Sequence, residues 1–430
     1  MSGDHAHRVG LLAVGDELLA GAHPDLNSPW LAARLTELGR QADRIMVVPD
    51  DEASIAEAVE QLAARAPLVV VSGGLGPTLD NVTRHGVARA AGRELALDEQ
   101  AWSQVRAWYE RAGRDMPASN ERQALVPESG VVLFNPTGTA PGFRVEVGRA
   151  TVFVLPGPPR ELQAMGEEHL LPWVTEHPLG HEVFQVRRFH LFDLSESVFA
   201  DRAGDWMERG TNPLMGVTVK GGILSAKLVA RGRDEEEARA RLSERGAEFL
   251  ERFGDHVFSE TSPDLALVLG EELLARNMTV TCAESCTGGM IAGELTRMPG
   301  ISSLLRETAV TYSNEAKTER LGVPEPLLSA HGAVSAPVAE EMARGAAGRS
   351  GARLALSVTG IAGPGGGSPE KPVGLVWFGV FRDGDVVATA RRWPDVGRDR
   401  VRTWATKKGL SLLLRAARGE ALGSLVETPG

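Results

Sequence analysis

The stretch T-V-T-C-A-E-S-C-T-G-G-M-I-A-G-E-L, residues 279–295, decides the fold. An apolar run, Thr279–Cys282, stops abruptly at a polar and glycine-rich turn. A short run without alternation suits a strand buried on both faces. Two glycines follow, and a helix is expected to start near Gly288. Strand, tight turn and helix in this order form the unit of a parallel α/β sheet. Working outward, the pattern recurs. Val9–Val14 runs into Gly15-Asp16-Glu17, and Leu68–Val71 into S-G-G-L-G-P-T at 72–78. Val152–Leu155 runs into P-G-P-P at 156–159, and Leu354–Val358 into T-G-I-A-G-P-G-G-G at 359–367. Helix-like stretches lie between them at Ser28–Leu38, Ser54–Ala64 and Asp264–Ala275. In such sheets ligands bind beyond the carboxyl ends of the strands. The glycine-rich turns fall at that end, so two sites are expected.

The chain has 430 residues, more than one core of about 100–200 residues serves. The expected fold class is α/β: two three-layer α/β domains with mostly parallel sheets, joined by a small α+β connecting domain. The boundaries expected are 1–170, 171–257 and 258–430. The connector carries a charged helical stretch, Asp234–Arg252, and an alternating run, Ile223–Ala230. Its acidic helix face reads as solvated surface. A nucleic-acid module is the alternative, but no G-x-x-G clamp or stacking aromatic pattern supports it. Hydrophobic residues make up 43% and charged residues 24%, ordinary for a folded protein. The net charge of −11 argues against a nucleic-acid partner or an anionic membrane surface. No apolar run approaches the roughly 18–20 residues of a membrane helix. Met1–Arg8 lacks the apolar core of a signal peptide. The only cysteines, Cys282 and Cys286, have neither C-x-x-C spacing nor partners for a zinc set. A reducing, cytoplasmic location is expected.

Ser285 sits where a strand gives way to a helix, a place from which a side chain projects off the sheet edge. The amides of the first helical turn are unpaired there and are expected to face a developing oxyanion. Ser285 or Thr287 as a plain helix cap is the competing reading. A serine needs a base. Lys317, in Y-S-N-E-A-K at 312–317, is the candidate, because a buried lysine gives up its proton more readily. Tyr312 could relay a proton or orient the lysine. An ordinary surface lysine is the bland alternative. Cys286 reads as a small buried hydrophobe rather than a nucleophile.

A-E-S-C-T-G-G, Y-S-N-E-A-K, H-G-A-V-S at 331–335 and T-G-I-A-G-P-G-G-G, in that order, resemble the CinA C-terminal domain. That family contains nicotinamide mononucleotide deamidases of the PncC type. The resemblance implies that Ser285 is the nucleophile, Lys317 its base and Tyr312 a companion hydroxyl. It implies that Thr287, Gly288, Gly289, Thr359, Gly360 and Gly363 line the nucleotide pocket. Arg398 or Arg402 would bind substrate, where a guanidinium suits a phosphate. It further implies hydrolysis to nicotinate mononucleotide and ammonia without a cofactor, and a homodimer.

The turn at 72–83, S-G-G-L-G-P-T-L-D-N-V-T, has glycines that let a backbone approach phosphate. Asp80 could hold a divalent cation. The turn is no Walker A loop, because G-K-[ST] is missing. With Gly15-Asp16-Glu17, Asn27, N-P-T-G-T-A-P-G at 135–142 and L-P-G-P-P-R-E-L at 155–162, it resembles the CinA N-terminal domain, which is similar to the MoaB/MogA molybdopterin-binding fold. The resemblance implies a metal-dependent ADP-ribose pyrophosphatase. Asn27, Gly73, Gly74, Gly76, Thr78, Gly138 and Thr139 would hold the nucleotide. Asp80, Asp16, Glu17 and Glu161 would serve a divalent metal ion. Asn81 stands where the family commonly has a second aspartate. Two other readings are a non-catalytic molybdopterin-type binder and a DNA-uptake or recombination accessory.

Overall fold

The computed structural model describes residues 7–177, 183–208 and 210–427. Most of the Met1–Arg8 segment therefore lies outside the described residues. The chain divides into two compact units, 1–186 with 229–245, and 187–228 with 246–430.

The first unit is built on a six-stranded sheet. From one edge it runs Gln41–Val48, Arg8–Val14, Leu68–Ser72, Ala150–Leu155, Gly142–Val147 and Val131–Leu133. The first four strands are mutually parallel and the last two antiparallel. Successive side chains of a strand face opposite sides of a sheet, and here each side has its own core. Leu12, Val69, Val71, Val152 and Val154 pack with Ile55 and Val59 of the helix Glu52–Ala63. Leu11, Leu68, Val70, Phe153 and Leu155 pack with Leu31 and Leu35 of the helix Asn27–Glu37. Burial on both sides explains the non-alternating apolar runs and makes this a three-layer α/β unit.

In the second unit a five-stranded sheet runs Leu305–Val310, Val280–Glu284, Leu354–Gly360, Leu375–Arg382 and Asp385–Arg392. The first three strands are parallel and the other two antiparallel. Helices Leu265–Ala275 and Arg398–Ala417 cover one face, and Ala336–Ser350 the other. The three-layer α/β class expected from the sequence is present, with antiparallel strands at one edge of each large sheet.

A four-stranded sheet holds Leu214–Lys220, Ile223–Gly232, Val183–Phe192 and Val257–Ser259 in that order. Ile223–Gly232 alternates buried and half-buried positions along most of its length, as the pattern Ile223–Ala230 predicts. The charged stretch forms the helix Glu235–Phe253. Its Arg239–Glu235 and Arg241–Glu237 pairs, one turn apart, lie on exposed surface. Among the described residues, no helix is long and apolar enough to cross a membrane.

Candidate active sites

The strand Val280–Glu284 ends one residue before Ser285, and the helix Met290–Leu295 begins after Gly289. Gly288 and Gly289 turn the chain with φ of 62° and 93°, a region that glycine enters without the Cβ penalty of other residues. Ser285 is 8% exposed. Its amide donates to the Val358 carbonyl at 2.9 Å, tying the turn to the neighbouring strand.

Lys317 comes from the helix Asn314–Leu321, capped by Ser313, whose hydroxyl accepts from the Ala316 amide. Its side chain is 1% exposed. The Nζ donates to the carbonyls of Thr311 at 2.8 Å, Tyr312 at 3.2 Å and Ser313 at 3.4 Å, and to Ser285 Oγ at 3.3 Å. Among the described residues no carboxylate lies within ion-pair distance of Lys317 Nζ. Burial pushes the Lys317 pKa below the ordinary lysine value, while Cys286 and Glu315 act weakly the other way. A neutral amine has two N–H bonds and one lone pair. In the neutral form the two nearest carbonyls, of Thr311 and Tyr312, would take the two N–H bonds, and the lone pair would then be the group that meets the Ser285 hydroxyl. The sequence-predicted pair therefore meets, in a geometry that lets the hydroxyl give up its proton.

Two expectations need correction. The first-turn amides do not face a vacant oxyanion site. Gly289 and Ile291 donate to Glu284 Oε2 at 2.9 and 3.2 Å, and Ala292 donates to Glu284 Oε1 at 2.9 Å. A carboxylate buried to 1% exposure occupies the helix start, where the positive end of the helix dipole favours it. The Gly288 amide turns back to the Ser285 carbonyl. Cys286 and then Thr287 follow Ser285, and among the described residues neither amide donates to another residue's backbone carbonyl. The second correction concerns Tyr312. The residue is 58% exposed, and its hydroxyl accepts from Arg398 Nη2 at 2.7 Å. It orients Lys317 through its main-chain carbonyl, not through its hydroxyl.

The arginines have different duties. Arg402 donates from Nε to the Cys286 carbonyl and from Nη2 to the Thr287 carbonyl, both at 3.1 Å, and so braces the serine turn. Arg398 donates to the Gly363 carbonyl at 2.9 Å and to Tyr312. Thr359 is buried, with its hydroxyl donated to the Ala333 carbonyl at 2.9 Å; it joins the H-G-A-V-S segment to the sheet, and its O–H hydrogen is already used. A Cβ on Gly360 would lie 2.6 Å from Val376 and 2.9 Å from the Leu375 carbonyl, so packing accounts for that glycine. Cys286 is 5% exposed, and burial pushes its thiol up to about 12. That supports the buried-hydrophobe reading.

In the first unit the turns after four parallel strands surround a cavity of about 720 Å3. Glu17, Asn27, Gly73, Gly74, Gly76, Thr139, Asp80 and Glu161 line it. Asp16, Thr78 and Gly138 are not part of the lining; Asp16 and Thr78 are exposed and Gly138 is buried. The Asp16 amide donates to Asp50 Oδ2 at 3.1 Å, and the Gly138 amide to Asn135 Oδ1 at 2.8 Å. Asn81 is an internal brace of its turn. It accepts from the Gly76 amide at 2.8 Å and donates to Thr78 Oγ1 and Asp80 Oδ1.

Sequence reasoning missed two residues here. Asp50, after the Gln41–Val48 strand, lines the cavity; burial and the charges of Asp16, Glu17 and Asp80 raise its pKa. Only spatial convergence reveals it. Arg84 is 3% exposed and donates to the Leu75 and Pro141 carbonyls at 2.9 and 3.0 Å. It holds the 72–83 and 135–142 turns together, and burial pushes its pKa down to about 9. Among the described residues no three His, Cys, Asp or Glu side chains gather closely enough to hold a metal ion by themselves. The carboxylates that line the cavity are Glu17, Asp25, Asp50, Asp80 and Glu161; a divalent cation held there would keep several waters and need ligand phosphates to complete its shell.

Gly74 gives a direct test of this turn. Its φ is 63°, and a Cβ would lie 2.0 Å from Thr83 Oγ1. Gly74→Ala is expected to destabilise the first unit by at least about 1–2 kcal/mol, read as a lower urea midpoint for that unit.

A "CinA-like protein" of Geobacter metallireducens is 41% identical over 408 residues, covering 95% of this chain and 98% of its own. The chain belongs to the CinA family. A second CinA-like protein, from Citrifermentans bemidjiense, is 40% identical over 95% of this chain and 97% of its own. The "CinA C-terminal domain" model matches residues 263–417, containing Ser285 and Lys317. "Probable molybdopterin binding domain" matches 10–176, and "Damage-inducible protein CinA KH domain" matches 186–259. The sequence reading prefers a plain connector in that last region and sets aside a nucleic-acid module for want of a G-x-x-G clamp; the match there is to a KH domain. The solved structure of competence/damage inducible protein CihA from Agrobacterium tumefaciens is 42% identical, covers 37% of this chain and 99% of its own, and has a TM-score of 0.35.

Proposed function

We propose that this CinA protein hydrolyses the carboxamide of nicotinamide mononucleotide through Ser285 and Lys317. The observation that carries the reading is a buried lysine, free of carboxylate partners, 3.3 Å from a serine hydroxyl at a strand end. Lys317 takes the Ser285 proton as Oγ attacks the carboxamide carbon. The amides of Cys286 and Thr287, which follow the nucleophile, are the proposed donors to the charge that develops on oxygen. Collapse expels ammonia, which carries away the proton from Lys317, and leaves an ester on Ser285. Water, deprotonated by Lys317, attacks the ester and releases nicotinate mononucleotide and the free hydroxyl. Every step is proton transfer and acyl transfer, and no cofactor is needed. Arg402 uses Nε and Nη2 on the serine turn. Arg398, beside the exposed Tyr312, is the cation for the substrate phosphate. The experiment is ammonia release from nicotinamide mononucleotide by purified protein; no release across neutral to alkaline pH removes the reading.

For the first unit the proposed activity is hydrolysis of ADP-ribose with a divalent cation. Glu17, Asp50 and Asp80 share the acidic side of the cavity, and glycines 73, 74 and 76 line the same space. The cation would neutralise the diphosphate there and polarise it. Arg84→Met frees both turns at once, and AMP formation from ADP-ribose and magnesium is expected to fall about tenfold or more, a size usual for misplaced binding groups. Unchanged AMP formation in Arg84→Met contradicts the assigned role. The substrates are free nucleotides, and a cytoplasmic homodimer is the form proposed.

A further inference from the structure

We infer that Glu284 is a positioning residue that holds the nucleophile and the platform of its base in one frame. The inference rests on the Ser285–Lys317 reading but makes a separate claim. Glu284 is the last residue of its strand and precedes Ser285 directly. Its two ends are used differently. The side-chain oxygens accept the Gly289, Ile291 and Ala292 amides at 2.9, 3.2 and 2.9 Å. Its main-chain carbonyl accepts the Thr311 amide at 2.8 Å. Thr311 in turn offers the carbonyl that lies nearest Lys317 Nζ, at 2.8 Å. One residue thus anchors the turn that carries Ser285 and the strand end that seats Lys317.

The energetics favour a specific role over generic packing. A buried carboxyl group is costly unless its lone pairs are filled. Here three converging N–H groups and the helix start fill them, and no cation within ion-pair distance is present among the described residues. Glutamine is isosteric but offers one acceptor oxygen and one NH2 group. That NH2 group must face an amide N–H, donor against donor, so the turn shifts.

The test uses a readout that does not depend on nicotinamide mononucleotide: the rate at which a fluorophosphonate labels Ser285 in the full chain. Glu284→Gln is expected to fold and to label about tenfold to a hundredfold more slowly, the scale of a misplacement near 1 Å. The pH at which labelling rises should stay where it is in wild type, because Lys317 is untouched. Glu284→Ala opens a space of carboxylate size facing the three amides. Added formate should recover at least severalfold of its labelling, and should do nothing for wild type or Glu284→Gln. With nicotinamide mononucleotide as substrate, kcat should fall while KM stays within about threefold. Labelling of folded Glu284→Gln at the wild-type rate overturns the inference, as does equal absence of labelling in both proteins. Loss in Glu284→Ala that formate does not touch also overturns it. Wild-type protein that labels at Ser285 but releases no ammonia sinks the substrate reading and leaves this inference standing.

Discussion

Ser285→Ala is expected to stop ammonia release from nicotinamide mononucleotide almost completely, with kcat/KM down by at least about 10³-fold, as for removal of a nucleophile elsewhere. The side chain is nearly buried and lost without a large cavity, so the melting temperature should move little. Substrate affinity should also persist, because Arg398 and the glycine turns are untouched. The control is Cys286→Ala. Its thiol, pushed up to about 12 by burial, is ionised to an extent on the order of 10⁻⁵ at neutral pH, too little for a nucleophile. That variant should keep most of the activity. Comparable loss in both variants, with both proteins folded, would point away from Ser285 as the attacking group.

Lys317→Met should cost about 10²–10⁴ in kcat, the range of a lost general base. The pH profile carries more information. Lys317 acts as a base only when neutral, so kcat/KM should rise with pH through its folded-state pKa. Burial, the larger influence, sets that pKa below the ordinary lysine value. The ascending limb should therefore lie at lower pH than a solvent-exposed lysine would give. Glu315 pulls in the opposite direction, by charge, from an exposed position. Glu315→Gln removes a charge that favours the ammonium form. The limb should move to lower pH by a fraction of a unit, and the movement should shrink as salt is added. A limb that moves to higher pH, or a Lys317→Met protein with wild-type turnover, would mean that another group takes the proton.

Much of this architecture is legible in the sequence because the physics is local. Leu68–Val71 and Val152–Leu155 are apolar at every position since both faces of their strands are covered. Gly288 and Gly289 mark a turn because their φ values are positive. The pairing of Ser285 with Lys317 is legible only through resemblance, since 32 residues separate them and spacing alone does not bring them together. What the sequence hides is the use of groups already committed elsewhere. A helix start reads as a vacant anion site until Glu284 is seen filling it. Tyr312 reads as a proton relay until its hydroxyl is seen beside Arg398 and its carbonyl beside Lys317. Asn81 reads as a missing metal ligand until its amide is found bracing Gly76, Thr78 and Asp80. Asp50 and Arg84 carry no motif, and their importance comes from the turns that they approach or join.

The most direct measurement is rapid quenching of the reaction with nicotinamide mononucleotide, followed by mass spectrometry of the peptide that carries residue 285. The account predicts a transient ester on Ser285 in the wild-type protein, formed as ammonia appears and absent from Lys317→Met. Ammonia release at full rate with no adduct on Ser285, or with the adduct on Cys286, would contradict it.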